Sequence, residues 1–100
     1  MQNRNFTWDE NKNKANKRKH GIGFEEAQSV FNDPKAIFGY DEAHSDYEEE
    51  RFIVIGMSFG HNVLMVCHCY RNYDLETRII SARKADENEQ LDYWRQSYDR

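Results

Sequence analysis

The chain has 100 residues, of which 32% are charged, and its formal net charge is −4 at pH 7. This length predicts a single domain over residues 1–100. Its apolar runs are too short for a membrane span, and its polar N-terminus lacks the apolar core of a secretory signal. Cys67 and Cys69 alone form no disulfide framework, so we expect a reducing, cytoplasmic location.

Charge is distributed unevenly along the chain. Cations crowd an early segment: Lys12, Lys14, Lys17, Arg18 and Lys19. Carboxylates crowd residues 41–50. The net negative charge argues mildly against a nucleic-acid-binding protein, but a local basic stripe can still bind phosphates. The sequence therefore predicts a basic segment, an acidic loop and a basic final strand.

The first part of the chain predicts a short extended run and a polar helix. Residues 6–8 fit either a small edge strand or an aromatic anchor on the core. Asp9 suits an N-cap, because its carboxylate can accept the free amide hydrogens of a first turn. The helix should end near His20, since Gly21 readily adopts the left-handed conformation. With few apolar residues, it must pack through Ala15 and the stems of its lysines.

A second helix and a strand follow. The helix begins near Phe24, where apolar residues start to recur at helical spacing. It ends at Asp33, because the residue before Pro34 is pushed out of helical geometry. Residues 36–40 then predict a strand. Residues 41–50 predict an acidic loop, since they show no apolar periodicity.

The second half of the chain predicts a β-meander. Three runs, residues 51–59, 63–70 and 76–82, are rich in the β-branched, aromatic and aliphatic residues that suit a pleated surface. The turns between them are too short for helical crossovers, so the strands should pair antiparallel.

A third helix is predicted at the C-terminus. Asp86 and Glu89 form a capping-box pattern, and Leu91, Trp94 and Tyr98 then share one helical face. The elements together predict an α+β domain. Its mostly antiparallel four-stranded sheet would pack with two N-terminal helices and one C-terminal helix.

Four blocks of sequence carry a family resemblance. They are Trp8-Asp9-Glu10-Asn11-Lys12; Lys19-His20-Gly21-Ile22 with Phe24-Glu25-Glu26-Ala27; His44-Ser45 with Glu49-Glu50-Arg51-Phe52; and Arg78-Ile79-Ile80-Ser81-Ala82-Arg83-Lys84-Ala85. In these blocks and their order, the chain resembles the BrnT toxins of bacterial type II toxin–antitoxin pairs.

The resemblance implies a fold and a function. The fold would be similar to that of the RelE-type ribonucleases, and the activity would be RNA cleavage that blocks translation, without cofactor or metal. The substrate would be RNA, either free or on the ribosome. The partner would be a BrnA-like antitoxin that covers the toxin and carries a DNA-binding domain. No membrane association is implied.

Metal-independent RNA cleavage needs groups that hold negative charge on the phosphate and groups that move protons. Arginine suits the first role, because its planar guanidinium matches two phosphate oxygens. The candidates are Arg71, Arg78 and Arg83, with Ser81 helping to position the phosphate. Regular alternation would place Ser81 and Arg83 on one face of the last strand and Arg78 on the other. The alternative is that these are surface arginines paired with Glu76, Glu87 or Glu89.

Two histidines are candidates for proton transfer. His68 lies inside a predicted strand, and a neutral imidazole there could act as acid or base near pH 7. Its alternative is a satisfied core histidine. His20 follows several cations that would favour its neutral form, and its alternative is a helix-end cation. A zinc site with Cys67 and Cys69 is disfavoured, because His68 would point away from both thiols.

The sequence also predicts outer contacts to RNA. Lys17, Lys19 and Lys84 could bind phosphates, and Trp8 could stack on a base. The alternatives are a solvated basic face and a core tryptophan. A rival function remains open, in which the chain is a non-catalytic binding module whose basic sheet face holds a partner protein.

Overall fold

The structure, a computed structural model, describes residues 5–98 and the side chains of residues 5–96. Its elements in chain order are β1 (Asn5–Thr7), α1 (Glu10–His20), α2 (Phe24–Ser29), β2 (Ile37–Tyr40), β3 (Phe52–Met57), β4 (Val63–Arg71), β5 (Glu76–Lys84) and α3 (Glu87–Tyr98). Short 3₁₀ turns lie at Val30–Asn32 and Glu42–His44. No helix within these described residues is long and apolar enough to cross a membrane.

The strands of residues 5–98 form one five-stranded sheet in the order β1-β5-β4-β3-β2. Strands β2 to β5 are antiparallel to their neighbours, and β1 is parallel to β5. The predicted α+β class is confirmed, but the predicted count of four strands is wrong. The additional strand, β1, pairs with β5 over three residues, Asn5–Thr7. Such a short strand carries no alternation of its own and depends on its distant partner.

Helix α1 begins and ends as its sequence predicts. The Asp9 carboxylate accepts hydrogen bonds from the backbone N–H of Asn11 and Lys12, at 2.8 and 3.2 Å. Gly21 closes the helix in the left-handed region, with φ of 74°. The expected packing through Ala15 is wrong, since Ala15 is exposed and the buried residue of α1 is Asn16.

Asn16 attaches α1 to the last strand. Its Nδ2 donates to the carbonyls of Ala82 and Ile22, at 2.8 and 2.9 Å, and its Oδ1 accepts from Ala82 N at 3.1 Å. Strand β1 covers the edge of β5 only at Glu76, Thr77 and Arg78. The Asn16 amide therefore satisfies β5 backbone groups where no neighbouring strand reaches them.

The sheet has one core on each face. On the helix face, Val54, Leu64, Val66, Ile79 and Ala82 pack against Ile22, Phe24, Ala27, Val30 and Phe31. On the other face, Tyr93 of α3 packs with Ile55, Val63 and Ala85. Leu91 and Trp94, predicted to share a face of α3, are each about half exposed, whereas Tyr93 is 3% exposed. Tyr93 is thus the residue that fixes α3 to the sheet.

A bulge in β5 changes which side chains share a face. Cys67 is opposite Ser81 but His68 is opposite Ile79, so Ile80 is an extra residue in β5. If all residues of β5, including Ile80, alternated regularly, Ser81 would lie on the opposite face from Arg78. The bulge instead places both on one face, together with Arg83 further along the strand. The prediction that Arg78 lies on the opposite face from Ser81 and Arg83 is therefore wrong.

Candidate functional site

One face of the sheet carries a row of polar side chains, which we call the arginine face: Arg71, Arg78, Ser81 and Arg83. In the register of β4 and β5, Arg78 is opposite Cys69, Ser81 is opposite Cys67, and Arg83 is opposite Met65. The Cα atoms of Arg78 and Arg83 are about 15 Å apart at the usual strand rise. The two guanidiniums can therefore approach Ser81 from opposite sides. The structure places the four residues predicted to contact a phosphate on one face of the sheet.

The arginines differ in their partners. Arg83 makes a bidentate ion pair with Glu89, at 2.8 and 3.0 Å, and Arg71 Nη2 lies 2.9 Å from Glu49 Oε2. These hydrogen bonds raise the pKa of both guanidiniums, and the bond from Arg71 lowers the pKa of Glu49. The Arg83–Glu89 pair is one of the ion pairs named in the alternative that these are surface arginines. Within residues 5–98, no carboxylate oxygen lies within 4 Å of the Arg78 guanidinium.

The acidic loop places a histidine–aspartate pair beside this row. His44 Nδ1 lies 2.9 Å from Asp41 Oδ2 and 3.1 Å from Asp41 Oδ1. The Asp41 side chain is 12% exposed, whereas that of His44 is 67% exposed. Asp41 Oδ2 also accepts a hydrogen bond from Cys67 Sγ at 3.5 Å, and Cys67 is the cross-strand neighbour of Ser81. Asp41 therefore contacts the arginine face through Cys67.

This geometry can orient an imidazole for proton transfer. A carboxylate beside Nδ1 favours the tautomer in which Nδ1 carries the proton. Nε2 of His44 is then left as a proton acceptor. Our sequence analysis did not identify His44 or Asp41 as candidates. The sequence feature that could have identified them is an aspartate three residues before a histidine, since an aspartate N-cap holds the third residue after it close by. Asp41 caps the 3₁₀ turn in this way and accepts the backbone N–H of His44.

Arg51 is a second residue that sequence reasoning missed. It precedes β3, and its Nε lies 3.6 Å from Glu49 Oε1. Among the described side chains, this Nε is the buried nitrogen that has no hydrogen-bond acceptor. A buried N–H without an acceptor is energetically unfavourable, and the nearby Glu49 carboxylate offsets part of that cost.

The thiols of Cys67 and Cys69, which lie under the acidic loop, have low reactivity. Burial, reinforced by the hydrogen bond to Asp41, raises the pKa of Cys67 to about 12. Burial and the nearby Glu49 also raise the pKa of Cys69. Both thiols are therefore neutral near pH 7, when they are poor nucleophiles and poor metal ligands. His68 is opposite Ile79 on the helix face, so it does not join the cysteines at a common site.

The two predicted histidines lie away from the arginine face. His68 is fully buried among aromatic rings, with Phe31 and Tyr70 at centroid distances of 4.9 and 5.2 Å. Its Nε2 lies 3.1 Å from Tyr70 Oη. The sheet separates this imidazole from Arg78. His20 ends α1, which packs on the helix face, so it is not brought to the arginines either.

The predicted outer RNA contacts are also dispersed. Lys17 and Lys19 are exposed on α1, and Lys84 is exposed at the end of β5, opposite Leu64 of the helix face. Trp8 is half-buried, and its ring packs edge-on against Phe24 at 6.1 Å. The structure gives Trp8 the packing of a core anchor and leaves the three lysines available to solvent.

Comparisons with known proteins point to one family. The family described as "Ribonuclease toxin, BrnT, of type II toxin-antitoxin system" matches residues 8–89. Among solved structures, the chain is similar to the crystal structure of the Brucella abortus ribonuclease toxin BrnT, with a TM-score of 0.65 and 23% sequence identity. That match covers 85% of this chain and 100% of the Brucella chain, and it supports the likeness of the folds. A search of curated proteins found no match.

Proposed function

The chain belongs to the BrnT family of type II toxin–antitoxin toxins, and on this premise we propose that it is a metal-independent endoribonuclease that inhibits translation. In this proposal it acts in the cytoplasm, has a RelE-like ribonuclease fold, and cleaves RNA either free or on the ribosome. A BrnA-like antitoxin neutralises it and binds DNA through its own domain. The rival is a non-catalytic module with the same basic face.

One observation carries the catalytic proposal. Asp41, which hydrogen-bonds His44, also accepts a hydrogen bond from Cys67, the cross-strand neighbour of Ser81, so a proton acceptor and phosphate-binding groups lie on one side of the sheet. Cleavage through the ribose 2′-hydroxyl requires this combination, because one group must remove the proton while another holds charge on the phosphate. A surface used only for binding would not need an imidazole oriented by a carboxylate.

The proposed reaction has three parts. His44 Nε2 accepts the proton of the 2′-hydroxyl, and the resulting imidazolium is stabilised by Asp41. The 2′-oxygen bonds to the adjacent phosphorus, and the bond to the 5′-oxygen breaks, leaving a 2′,3′-cyclic phosphate. Water protonates the departing 5′-oxygen. Arg78 holds the charge on the phosphate, and Ser81 positions it.

The remaining candidates have supporting roles in this proposal. Arg71 and Arg83 would exchange Glu49 and Glu89 for neighbouring RNA phosphates, because a phosphate oxygen can replace a carboxylate oxygen. The predicted outer contacts are Lys17, Lys19, Lys84 and Trp8. Proton transfer, first predicted for His68 or His20, is assigned to His44 because its partner Asp41 contacts Cys67 on the arginine face.

The test is cleavage by purified, antitoxin-free protein in EDTA. The substrate is a long unstructured RNA, compared with the same RNA carrying one 2′-deoxy nucleotide at a mapped cleavage site. We expect 2′,3′-cyclic phosphate ends, with no cleavage at the substituted position. His44→Ala and Arg78→Ala should each slow cleavage by about 100-fold or more. Asn11→Ala, on the exposed side of α1, is the matched control.

The outcomes separate the two functions. Equal cleavage by wild type and both variants would remove these residues from the site and indicate a contaminating nuclease. If free RNA is not cleaved, translating ribosomes are added to the same reaction. Cleavage of messenger RNA then supports a ribosome-dependent toxin, whereas intact RNA favours the binding module.

A further inference from the structure

Four aromatic side chains form a partly exposed surface on the helix face, which we call the aromatic patch: Phe38, Tyr40, Phe52 and Tyr70. They lie on β2, β3 and β4, beyond the area that α1 and α2 cover. Phe38 is 50% exposed, Tyr40 is 52% exposed, and Tyr70 is 36% exposed. Exposed aromatic residues that adjoin one another are unusual on a monomer surface and indicate an interaction site.

The rings of the patch form a continuous packed layer. Tyr40 and Phe52 are 5.6 Å apart by their ring centroids, and Phe52 and Tyr70 are 5.3 Å apart. The buried imidazole of His68 lies beneath them, 6.3 Å from Phe52 and 6.5 Å from Phe38. Because these rings support one another, the patch is rigid, so a partner would lose little side-chain entropy in ordering it.

An acidic wall borders this layer. Phe52 and Tyr70 line an open cavity of about 650 Å³ together with Glu48, Glu49, Glu50, Asp74 and Arg71. The lining thus has four carboxylates against one guanidinium. Glu49 pairs with Arg71, but no cation of the described residues lies within 4 Å of the carboxylates of Glu48, Glu50 or Asp74.

We propose that the aromatic patch and its acidic wall are the anchor site for the antitoxin, and that they hold an antitoxin segment with apolar side chains flanked by lysine or arginine. This proposal rests on the family's antitoxin partner. The apolar side chains would cover Phe38 and Tyr40, and a cationic side chain would enter the cavity. There it could stack on Phe52 or Tyr70 and pair with Glu48 or Glu50.

Charge decides between a protein and an RNA as the occupant. Aromatic rings alone would also accept nucleotide bases. An RNA strand on this surface would bring its phosphates against Glu48, Glu50 and Asp74, and that repulsion is unfavourable. A basic peptide gains from the same charges. The patch also lies on the opposite face from Arg78 and Ser81, so the antitoxin anchor and the scissile phosphate would bind at separate places, with Arg71 at the border between them.

The experiment measures antitoxin binding by titration calorimetry, using the whole cognate antitoxin and overlapping 15-residue synthetic peptides that tile it. Tyr40→Ser and the double change Glu48→Lys with Glu50→Lys alter the patch. Phe59→Ser and Glu87→Lys change a similar exposed ring and a similar exposed carboxylate elsewhere. We expect the two patch variants to weaken antitoxin binding at least tenfold and the two controls to match wild type. Circular dichroism melting confirms that each variant folds.

The strongest-binding peptide should be basic and apolar, and its affinity should fall in both patch variants. In cells, the patch variants should stay as toxic as wild type but escape neutralisation. Unchanged affinity in both folded variants overturns the proposal. The proposal is also overturned if the chain forms a dimer that Tyr40→Ser dissociates. The same holds if the chain binds a uridine 12-mer and Tyr40→Ser abolishes that binding. Antitoxin binding does not require catalysis. A protein that cleaves no RNA but binds the antitoxin through the aromatic patch would therefore refute the proposed nuclease activity and support the anchor site.

Discussion

Tyr93 of α3 donates a 2.6 Å hydrogen bond through its Oη to Asp33 Oδ2, which lies next to the 3₁₀ turn after α2. The same carboxylate oxygen accepts the backbone N–H of Met57 at 2.8 Å, at the end of β3. Three elements from distant parts of the sequence therefore meet at one carboxylate. Burial opposes ionisation of Asp33, but these hydrogen bonds and that from Lys35 outweigh it and lower its pKa below 3.8.

The first prediction concerns acid stability. A carboxyl group whose pKa is lowered by folding stabilises the protein above its unfolded pKa, and this contribution is lost as pH falls through the folded pKa. Asp33→Asn should therefore be less stable than wild type at pH 7, and the difference should shrink below about pH 4. Urea unfolding at several pH values measures it. A difference independent of pH would show that the charge of Asp33 does not matter.

The second prediction concerns the attachment of α1. Asn16→Ala leaves the N–H and C=O of Ala82 and the carbonyl of Ile22 without their partner, in a buried place. We expect a loss of about 3 kcal/mol in the free energy of unfolding. Asn11→Ala, at an exposed position of the same helix, should change it by less than about 0.5 kcal/mol. Similar effects of the two changes would refute this role of Asn16.

The third prediction separates two arginines of the arginine face. Arg83 is bound to Glu89, whose carboxylate also accepts the backbone N–H of Asp86 in the capping box of α3. Arg83→Ala should lower the free energy of unfolding by about 0.5–1 kcal/mol. Arg78→Ala should leave stability within about 0.5 kcal/mol, because it breaks no ion pair among the described residues. Thermal melts of both variants, beside their cleavage rates, distinguish a structural from a functional loss.

The fourth prediction concerns the buried histidine. His68→Phe keeps an aromatic ring among Phe31, Phe52 and Tyr70 and removes the imidazole. If proton transfer takes place on the arginine face, this variant should cleave RNA within about threefold of wild type, while His44→Ala should be slower by about 100-fold or more. Loss of cleavage in a folded His68→Phe protein would return the proton-transfer role to His68.

The fifth prediction concerns the bulge in β5. Deleting Ile80 would remove the extra residue but leave Ile79 opposite His68 and Ser81 opposite Cys67, so Ala82 would stay on the helix face and Arg83 on the arginine face. The protein lacking Ile80 should therefore fold with the same faces and lose no more than about 3 kcal/mol in the free energy of unfolding, whereas a failure to fold would show that the bulge itself is required. Ile80→Val keeps the extra residue and should fold normally. Circular dichroism and urea unfolding compare the two proteins.

Local signals were strong enough to predict much of the fold. Asp9 and Gly21 delimit α1 through backbone geometry, and Asp86 with Glu89 forms the predicted capping box of α3. Features that depend on contacts between residues distant in sequence could not be predicted from these local signals. Strand β1 exists only because β5 lies beside it, and the bulge at Ile80 leaves no mark in the pattern of apolar residues.

The candidate site was predictable only in part, for the same reason. Arg78, Ser81 and Arg83 are close in sequence, so a single segment pointed to them. The pairing of His44 with Asp41 is also local, but its position beside Ser81 depends on how the acidic loop folds back over Cys67. The position of His68 inside a predicted strand suggested a role in proton transfer. In the structure its imidazole is surrounded by aromatic rings, which is the packing of a core residue.

The Asn16–Ala82 hydrogen bonds link positions 66 residues apart. Strand β1 likewise cannot pair until β5 is present. As the chain leaves the ribosome, α1 emerges early but has no surface to dock on until β5 has been synthesised. The helix face and the bulged strand can therefore assemble only after β5 has left the ribosome, over contacts of high sequence separation. A nascent chain has no complete arginine face until β5, which carries Arg78, Ser81 and Arg83, has been synthesised, so the translating ribosome is not exposed to that surface before then.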